Sequence, residues 1–186
     1  PYTTPAGTTY DSGDFTVLLE KAVAASDYDG FEARRQESRK KGLIRGLGIG
    51  QYLEVTGPPA KEMGGIRFED DGTVTIITGT LDYGQGHATP VAQVLASRLG
   101  IPFDKIRLLQ GDSDELLAGG GTGGSKSLMS SGQAIFEASE VVKENGRKLA
   151  AHFLEAAAAD IEFHIGPRGG EFEIVGTDRR LGIMEL

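Results

Sequence analysis

Two glycine-framed loops, one on each side of a short helical pattern, constrain this chain more than any other feature. The first is Gly84-Gln85-Gly86-His87-Ala88-Thr89, and the second is Gly119-Gly120-Gly121-Thr122-Gly123-Gly124-Ser125-Lys126-Ser127. Each runs into a helical pattern, which places it where unpaired backbone N–H groups at a helix N-terminus hold an anion. Missing Cβ atoms let the backbone approach a bulky ligand, and the interleaved Gln, Thr, Ser and Lys add directional donors and one positive charge. The pair predicts a pocket for a large polar group that carries phosphates. On composition alone Gly119–Gly124 also reads as a flexible linker. Against that, the run is short, ends in Ser125-Lys126-Ser127 and leads straight into the longest helical pattern. Neither loop has the spacing of a Walker A loop or a Rossmann fingerprint.

The remaining composition narrows the classes. A net charge of −8 over 186 residues argues against a surface that coats nucleic acid, since such binding rests on neutralising phosphates. No apolar run reaches the roughly 18–20 residues that span a bilayer, and no leader pattern opens the chain. The expected compartment is the cytoplasm. With no cysteine there is no disulfide, no thiolate nucleophile and no thiolate ligand for zinc or an iron–sulfur cluster. His87, His152 and His164 are scattered, so no metal ligand set is nominated. The chain opens on Pro1 and stops at Leu186 where a new element begins, which reads as a piece of a longer protein.

The pattern along the chain predicts an α+β fold, a mixed sheet with hairpins and packed helices. Residues 1–42 read as an extended segment and helices, and 43–186 as the α+β domain. Asp14 is the expected cap of a helix whose stripe is Leu18, Leu19, Ala22, Val23 and Ala25. The basic run Arg34, Arg35, Arg39, Lys40 and Lys41 reads as a solvated helix face, with Glu37 one turn before Lys41. Leu43–Val55, with Gly46, Gly48 and Gly50 in alternation, reads as a long strand against which a backbone or ligand packs closely. Asp70-Asp71-Gly72 between two apolar alternations is a hairpin signal. Thr89 and Pro90 suit a helix start and Gly100 its end, with Ile106–Leu109 as the next strand, giving a strand–helix–strand crossover. The longest helix is expected from about Ser130 to Ala159, with Ile135, Ala138, Val142, Leu149, Phe153 and Leu154 inward. A second hairpin surrounds Gly166–Gly170, with His164 on its polar face. Asp112 and Asp114 as paired catalytic carboxylates find no desolvated setting that would separate their pKa values.

Taken together, these stretches resemble the molybdopterin-binding large chain of the molybdenum hydroxylases, the family of xanthine dehydrogenase, aldehyde oxidase and aerobic carbon monoxide dehydrogenase. The resemblance runs in order through Tyr10-Asp11-Ser12-Gly13-Asp14, Gly46-Leu47-Gly48-Ile49, Tyr52-Leu53-Glu54 and the Gly84–Thr89 loop. It continues through Gln93, Leu99-Gly100-Ile101-Pro102, Gly111-Asp112-Ser113-Asp114, Gly121–Ser127 and Gly132-Gln133-Ala134. The His after Gly-Gln-Gly looks closest to the carbon monoxide dehydrogenase branch of bacteria.

The resemblance implies a site for molybdenum–molybdopterin cytosine dinucleotide. It assigns Gly84, Gln85 and Gly86 to the pterin, and Thr122, Ser125 and Ser127 to the pterin and its phosphates. Gly124 matches a small residue near the metal. Lys126 stands where many relatives carry Arg, which keeps the charge but loses the two-pronged fork. The implied chemistry is oxidative hydroxylation of an aldehyde, N-heterocycle or carbon monoxide-type substrate, with oxygen from water. Electrons would leave through an iron–sulfur subunit to an FAD subunit. The family's glutamate base lies near the far C-terminus of its large chain, and nothing here matches its setting, so no catalytic residue is nominated. The copper-bearing cysteine loop is likewise outside this sequence, and the segment is expected to be inactive alone. The competing reading is a structural or subunit-interaction domain whose glycines serve tight packing.

Overall fold

The structure, a computed structural model, describes residues 2–57 and 61–186, and the chain divides after Leu53 into two compact units. Residues 43–53, grouped by sequence with the larger domain, lie with the smaller unit. In that unit β1 (Tyr2–Thr3) pairs antiparallel with β2 (Thr9–Tyr10), and helices α1 (Phe15–Ala25) and α2 (Phe31–Lys40) follow. Asp14 caps α1 as its position predicts, accepting the Val17 N–H at 3.1 Å. The apolar stripe of α1 is not a core face: no residue of the helix is buried. On α2, Glu37 pairs with Lys40 and Lys41, each at 3.4 Å, as expected of a solvated face.

Leu43–Val55 forms no strand, and Ile44 and Tyr52 are 100% and 84% exposed. Alternation of apolar residues with glycine permits an extended backbone but does not supply a neighbouring strand. Glycine adds entropy cost and no side chain to hold it there.

The larger unit is α+β. Strands β3 (Gly64–Phe68) and β4 (Val74–Thr78) form the first predicted hairpin, turning through Gly72 at φ +76°. Helix α3 (Ala88–Leu99) then crosses to β5 (Ile106–Leu109), which lies parallel to β4 with Val74 opposite Ile106. The long helix α4 (Ser127–Phe153) follows. The second hairpin, β6 (Ile161–Gly166) and β7 (Gly169–Ile174), is extended by β8 (Arg180–Gly182) into an antiparallel sheet. Its His164 is half-buried, with Nε2 3.3 Å from Glu171 and 3.1 Å from Glu173, and so is more enclosed than a surface residue.

One core joins these layers: Val74 and Ile76 of β4, Leu95 and Leu99 of α3, Ile135 and Ala150 of α4, and Phe172 of β7. Each large apolar side chain so enclosed contributes roughly 1.5–3 kcal/mol. Helix α4 starts at Ser127, directly after the second loop, and ends at Phe153, short of the predicted Ala159. Its inward face includes Ala150 and Ala151, whereas Leu149 and Phe153 are exposed. Gly146 sets this rotation, because a Cβ there would stand 2.3 Å from the Phe172 ring. A glycine in mid-helix gives up about 1 kcal/mol of propensity, and here it lets the helix axis lie directly over an aromatic ring.

Candidate cofactor site

Beyond its last residue, β4 runs on through Gly79, Thr80 and Leu81 into the first glycine loop, and the second loop lies beside this extension. The Gly121 N–H donates to the Gly79 carbonyl at 3.3 Å, and the Leu81 N–H donates to Thr122 Oγ1 at 3.2 Å. Ser127 Oγ reaches Thr122 Oγ1 at 3.3 Å. The two loops therefore adjoin at one end of the first sheet.

The loops differ in what their N–H groups meet. In the first, the Asp82 carboxylate accepts the N–H groups of Gly84, Gly86 and His87, at 2.7, 3.2 and 2.7 Å. An internal carboxylate already sits where the sequence pattern predicts an anion from outside. The backbone bonds, first from Gly84 and then from His87, hold the Asp82 carboxyl below its ordinary range. Helix α3 starts at Ala88, one residue before the expected Thr89 cap, with His87 at the cap position and no side-chain bond.

Because the folded-state pKa of Asp82 is lowered, its stabilisation is full above the ordinary carboxylate value of about 4 and is lost as pH falls below it. We expect the Gly84, Gly86 and His87 amides to lose hydrogen-exchange protection in that acid window. Asp82→Ala should remove this protection at every pH. Equal protection in the variant would show that the carboxylate does not order the loop.

The second loop is open. Helix α4 begins with Lys126 at its cap position and no side-chain bond to the first-turn N–H groups. A cleft of about 320 Å³ at this start is lined by Lys61, Glu62, Thr80, Thr122, Lys126 and Ser127, with the loop glycines between them. Among the described residues neither lysine makes an ion pair. The strip Glu54–Gly57 borders the loop: Gly57 N–H donates to the Gly124 carbonyl at 2.7 Å and Ser125 Oγ to Glu54 Oε1 at 2.8 Å.

Of the residues nominated from sequence, Thr122, Gly124, Lys126 and Ser127 line this cleft. Ser125 turns toward Glu54, and Gln85 turns its Oε1 back to the Tyr83 N–H within the adjoining first loop. The glycines separate by environment. A Cβ on Gly119 would stand 2.6 Å from the Gly79 carbonyl, so that glycine serves packing. Gly84, Gly86, Gly120, Gly123 and Gly124 face open space, as a ligand cradle requires. Asp82, Lys61, Glu62 and Thr80 belong to the site without having been nominated. An Asp two residues before Gly-x-Gly is a turn signal that marks Asp82; the others carry no local signal. Asp112 and Asp114 are exposed, and Asp112 Oδ1 accepts the Asp114 N–H at 2.9 Å within a turn.

An uncapped helix start with several hydroxyls and two lysines that form no ion pair among the described residues suits a ligand that carries phosphates. Among the described residues no group of His, Asp and Glu is arranged to hold a metal ion. The fold and cleft thus suit a domain that binds a phosphate-bearing ligand. Residues 21–185 match the family model described as the molybdopterin cofactor-binding domain. The chain is 33% identical to the carbon monoxide dehydrogenase large chain of Hydrogenophaga pseudoflava over 198 residues, covering 99% of this chain and 24% of that one. It is also 33% identical to the nicotine 6-hydroxylase large subunit of Paenarthrobacter nicotinovorans, covering 89% of this chain and 22% of that one. The solved structure of reconstituted CO dehydrogenase from Oligotropha carboxidovorans superposes with a TM-score of 0.63 at 32% identity, over 99% of this chain and 25% of that one. This chain belongs to the family of molybdopterin-binding large chains of the molybdenum hydroxylases. It spans about a quarter of the length of these relatives.

Proposed function

We propose that the second glycine loop and the start of α4 hold the phosphates and pterin of a molybdenum–molybdopterin cytosine dinucleotide, with the first loop closing on the pterin. The observation that supports this best is the cleft itself: an uncapped helix start, Thr122 and Ser127 hydroxyls, and Lys61 and Lys126 without ion pairs among the described residues, all beside open glycines. When bound, the group supplies the redox chemistry of oxidative hydroxylation. The residues of this chain bind and orient it. Lys126 and Lys61 would balance phosphate charge, Thr122 and Ser127 would give directional hydrogen bonds, and the Gln85 amide would bond the pterin. Gly124 leaves room at the metal. The cofactor contacts belong to the α+β part, residues 43–186, and the helices of residues 1–42 make none.

In the intact protein we propose a bacterial, cytoplasmic oxidoreductase acting on a carbon monoxide-type, aldehyde or N-heterocyclic substrate. Iron–sulfur and FAD subunits would carry the electrons onward. The isolated segment is inactive and purifies without molybdenum. Close packing accounts for Gly79, Gly119 and Gly146, and a positive φ for Gly84, Gly86 and Gly124, so the structural reading covers those positions and leaves Gly120 and Gly123.

The test is cofactor content in the intact protein. Each lost hydrogen bond to a buried polar partner costs roughly 1–3 kcal/mol. Gln85→Ala is expected to lower molybdenum and pterin content clearly. Ser125→Ala, which removes one hydroxyl among several donors, should lower it less. Full content in Gln85→Ala combined with Lys126→Ala would place the cofactor elsewhere.

A further inference from the structure

Beneath the two loops lies a buried polar cluster in an otherwise apolar core. Thr78, Thr80 and Ser131 are 0%, 3% and 1% exposed. They come from three different places: Thr78 and Thr80 from β4 and its extension, Ser131 from the beginning of α4, and their partner Gln110 from the residue after β5. Gln110 Nε2 donates to Thr78 Oγ1 at 2.9 Å and to Thr80 Oγ1 at 2.7 Å. Thr78 and Thr80 hydroxyls lie 3.0 Å apart, and Thr80 Oγ1 lies 3.1 Å from Ser131 Oγ.

Counting hydrogens shows that Thr80 is fully occupied. Gln110 Nε2 lies within reach of Thr78, Thr80 and His87 Nδ1, the last at 3.4 Å. The two hydroxyl–hydroxyl bonds can run in either direction. With Gln110 donating to it, Thr80 has three protein partners for two lone pairs and one hydrogen whichever way those bonds run. Although Thr80 lines the cleft, its hydroxyl has nothing left for a ligand. Its neighbours on either side, Gly79 and Leu81, are the residues that bond to Gly121 and Thr122 of the second loop.

Resting on the cofactor-binding reading, we infer that Thr80 is a positioning residue: with Gln110 and Ser131 it fixes the spacing between the first glycine loop and the start of α4, so that both grip one ligand. Burial strengthens the case, because a hub whose hydrogen bonds are all internal holds three elements in one register only while every bond is made. Losing the central hydroxyl leaves Gln110, Thr78 and Ser131 each short of a partner and lets the loops drift apart.

The experiment measures molybdenum and released pterin in the intact protein, alongside thermal unfolding. Thr80→Val keeps the shape and removes the hydroxyl; cofactor content is expected to fall about tenfold, the effect of one such bond. Thr80→Ser restores the hydroxyl and should recover content to near the parent's. Ser139→Ala controls for general destabilisation, since it deletes a fully buried hydroxyl that bonds only the Ile135 carbonyl within α4, at 2.7 Å. It should leave content unchanged. If Thr80→Val retained full content while Gln85→Ala lost it, the positioning role would be overturned and the binding reading would stand. If Ser139→Ala lost as much as Thr80→Val, the effect would be one of stability and the role would again fall. Should Thr80→Val yield no folded protein, Gln110→Glu decides: it keeps size and polarity, removes both N–H donors, and is expected to lose cofactor, full content being the overturning result. A parent protein without pterin would remove the binding reading and this role with it.

Discussion

Gly124→Val in the intact protein is expected to abolish turnover while the fold survives. Two effects combine there. Gly124 has φ +69°, a region that a β-branched residue enters at a cost of roughly 1–3 kcal/mol. The same position faces open space in the cleft, where an isopropyl group would occupy the room proposed for the metal end of the cofactor. Gly123→Val separates the two, because Gly123 also faces open space but does not have a positive φ. Loss of turnover in both variants, with thermal stability reduced only in Gly124→Val, is the outcome we expect. Wild-type turnover and full molybdenum in Gly124→Val would take this loop out of the active site.

The largest effect on stability is expected from Phe172→Ala. This ring is fully buried, touches the Phe163 ring with centroids 5.0 Å apart, and lies directly under the α4 backbone at Gly146. Large aromatic truncations in a core cost roughly 3–5 kcal/mol, and a rigid helix above the ring leaves little scope for collapse into the cavity. Denaturant unfolding should show the midpoint falling with the slope unchanged. A loss below about 1 kcal/mol would mean that the ring is dispensable to the joint between α4 and the second sheet.

Much of the α+β unit is legible in the sequence, for identifiable reasons. Both hairpins combine period-2 alternation with a turn that only a few residue types satisfy, so local signals suffice for β3–β4 and β6–β7. The crossover helix carries Pro90 in its first turn and ends at Gly100, and the strands it joins are parallel as a crossover requires. Errors arise where tertiary context decides. The helix expected from about Ser130 starts at Ser127, so its first turn takes in the end of the polar loop, and Ser130 and Ser131 are buried. Leu43–Val55 has the alternation of a strand and lacks the partner that makes one.

The site divides in the same way. Its position follows from the glycines, because backbone without side chains has few uses in a compact domain. Its electrostatics do not, since the first loop's N–H groups are taken by Asp82, a carboxylate that sequence spacing alone would equally place in solvent. The buried cluster around Gln110 is illegible for a further reason: its members are far apart in sequence and each is an ordinary polar residue until folding brings them together.

The exposed ribbon from Leu43 to Val55 has a bearing on the life of the polypeptide. Unshielded apolar side chains on backbone that pairs with no strand are what aggregation, chaperones and proteases act upon. A segment that covered this ribbon would therefore also shield it from degradation.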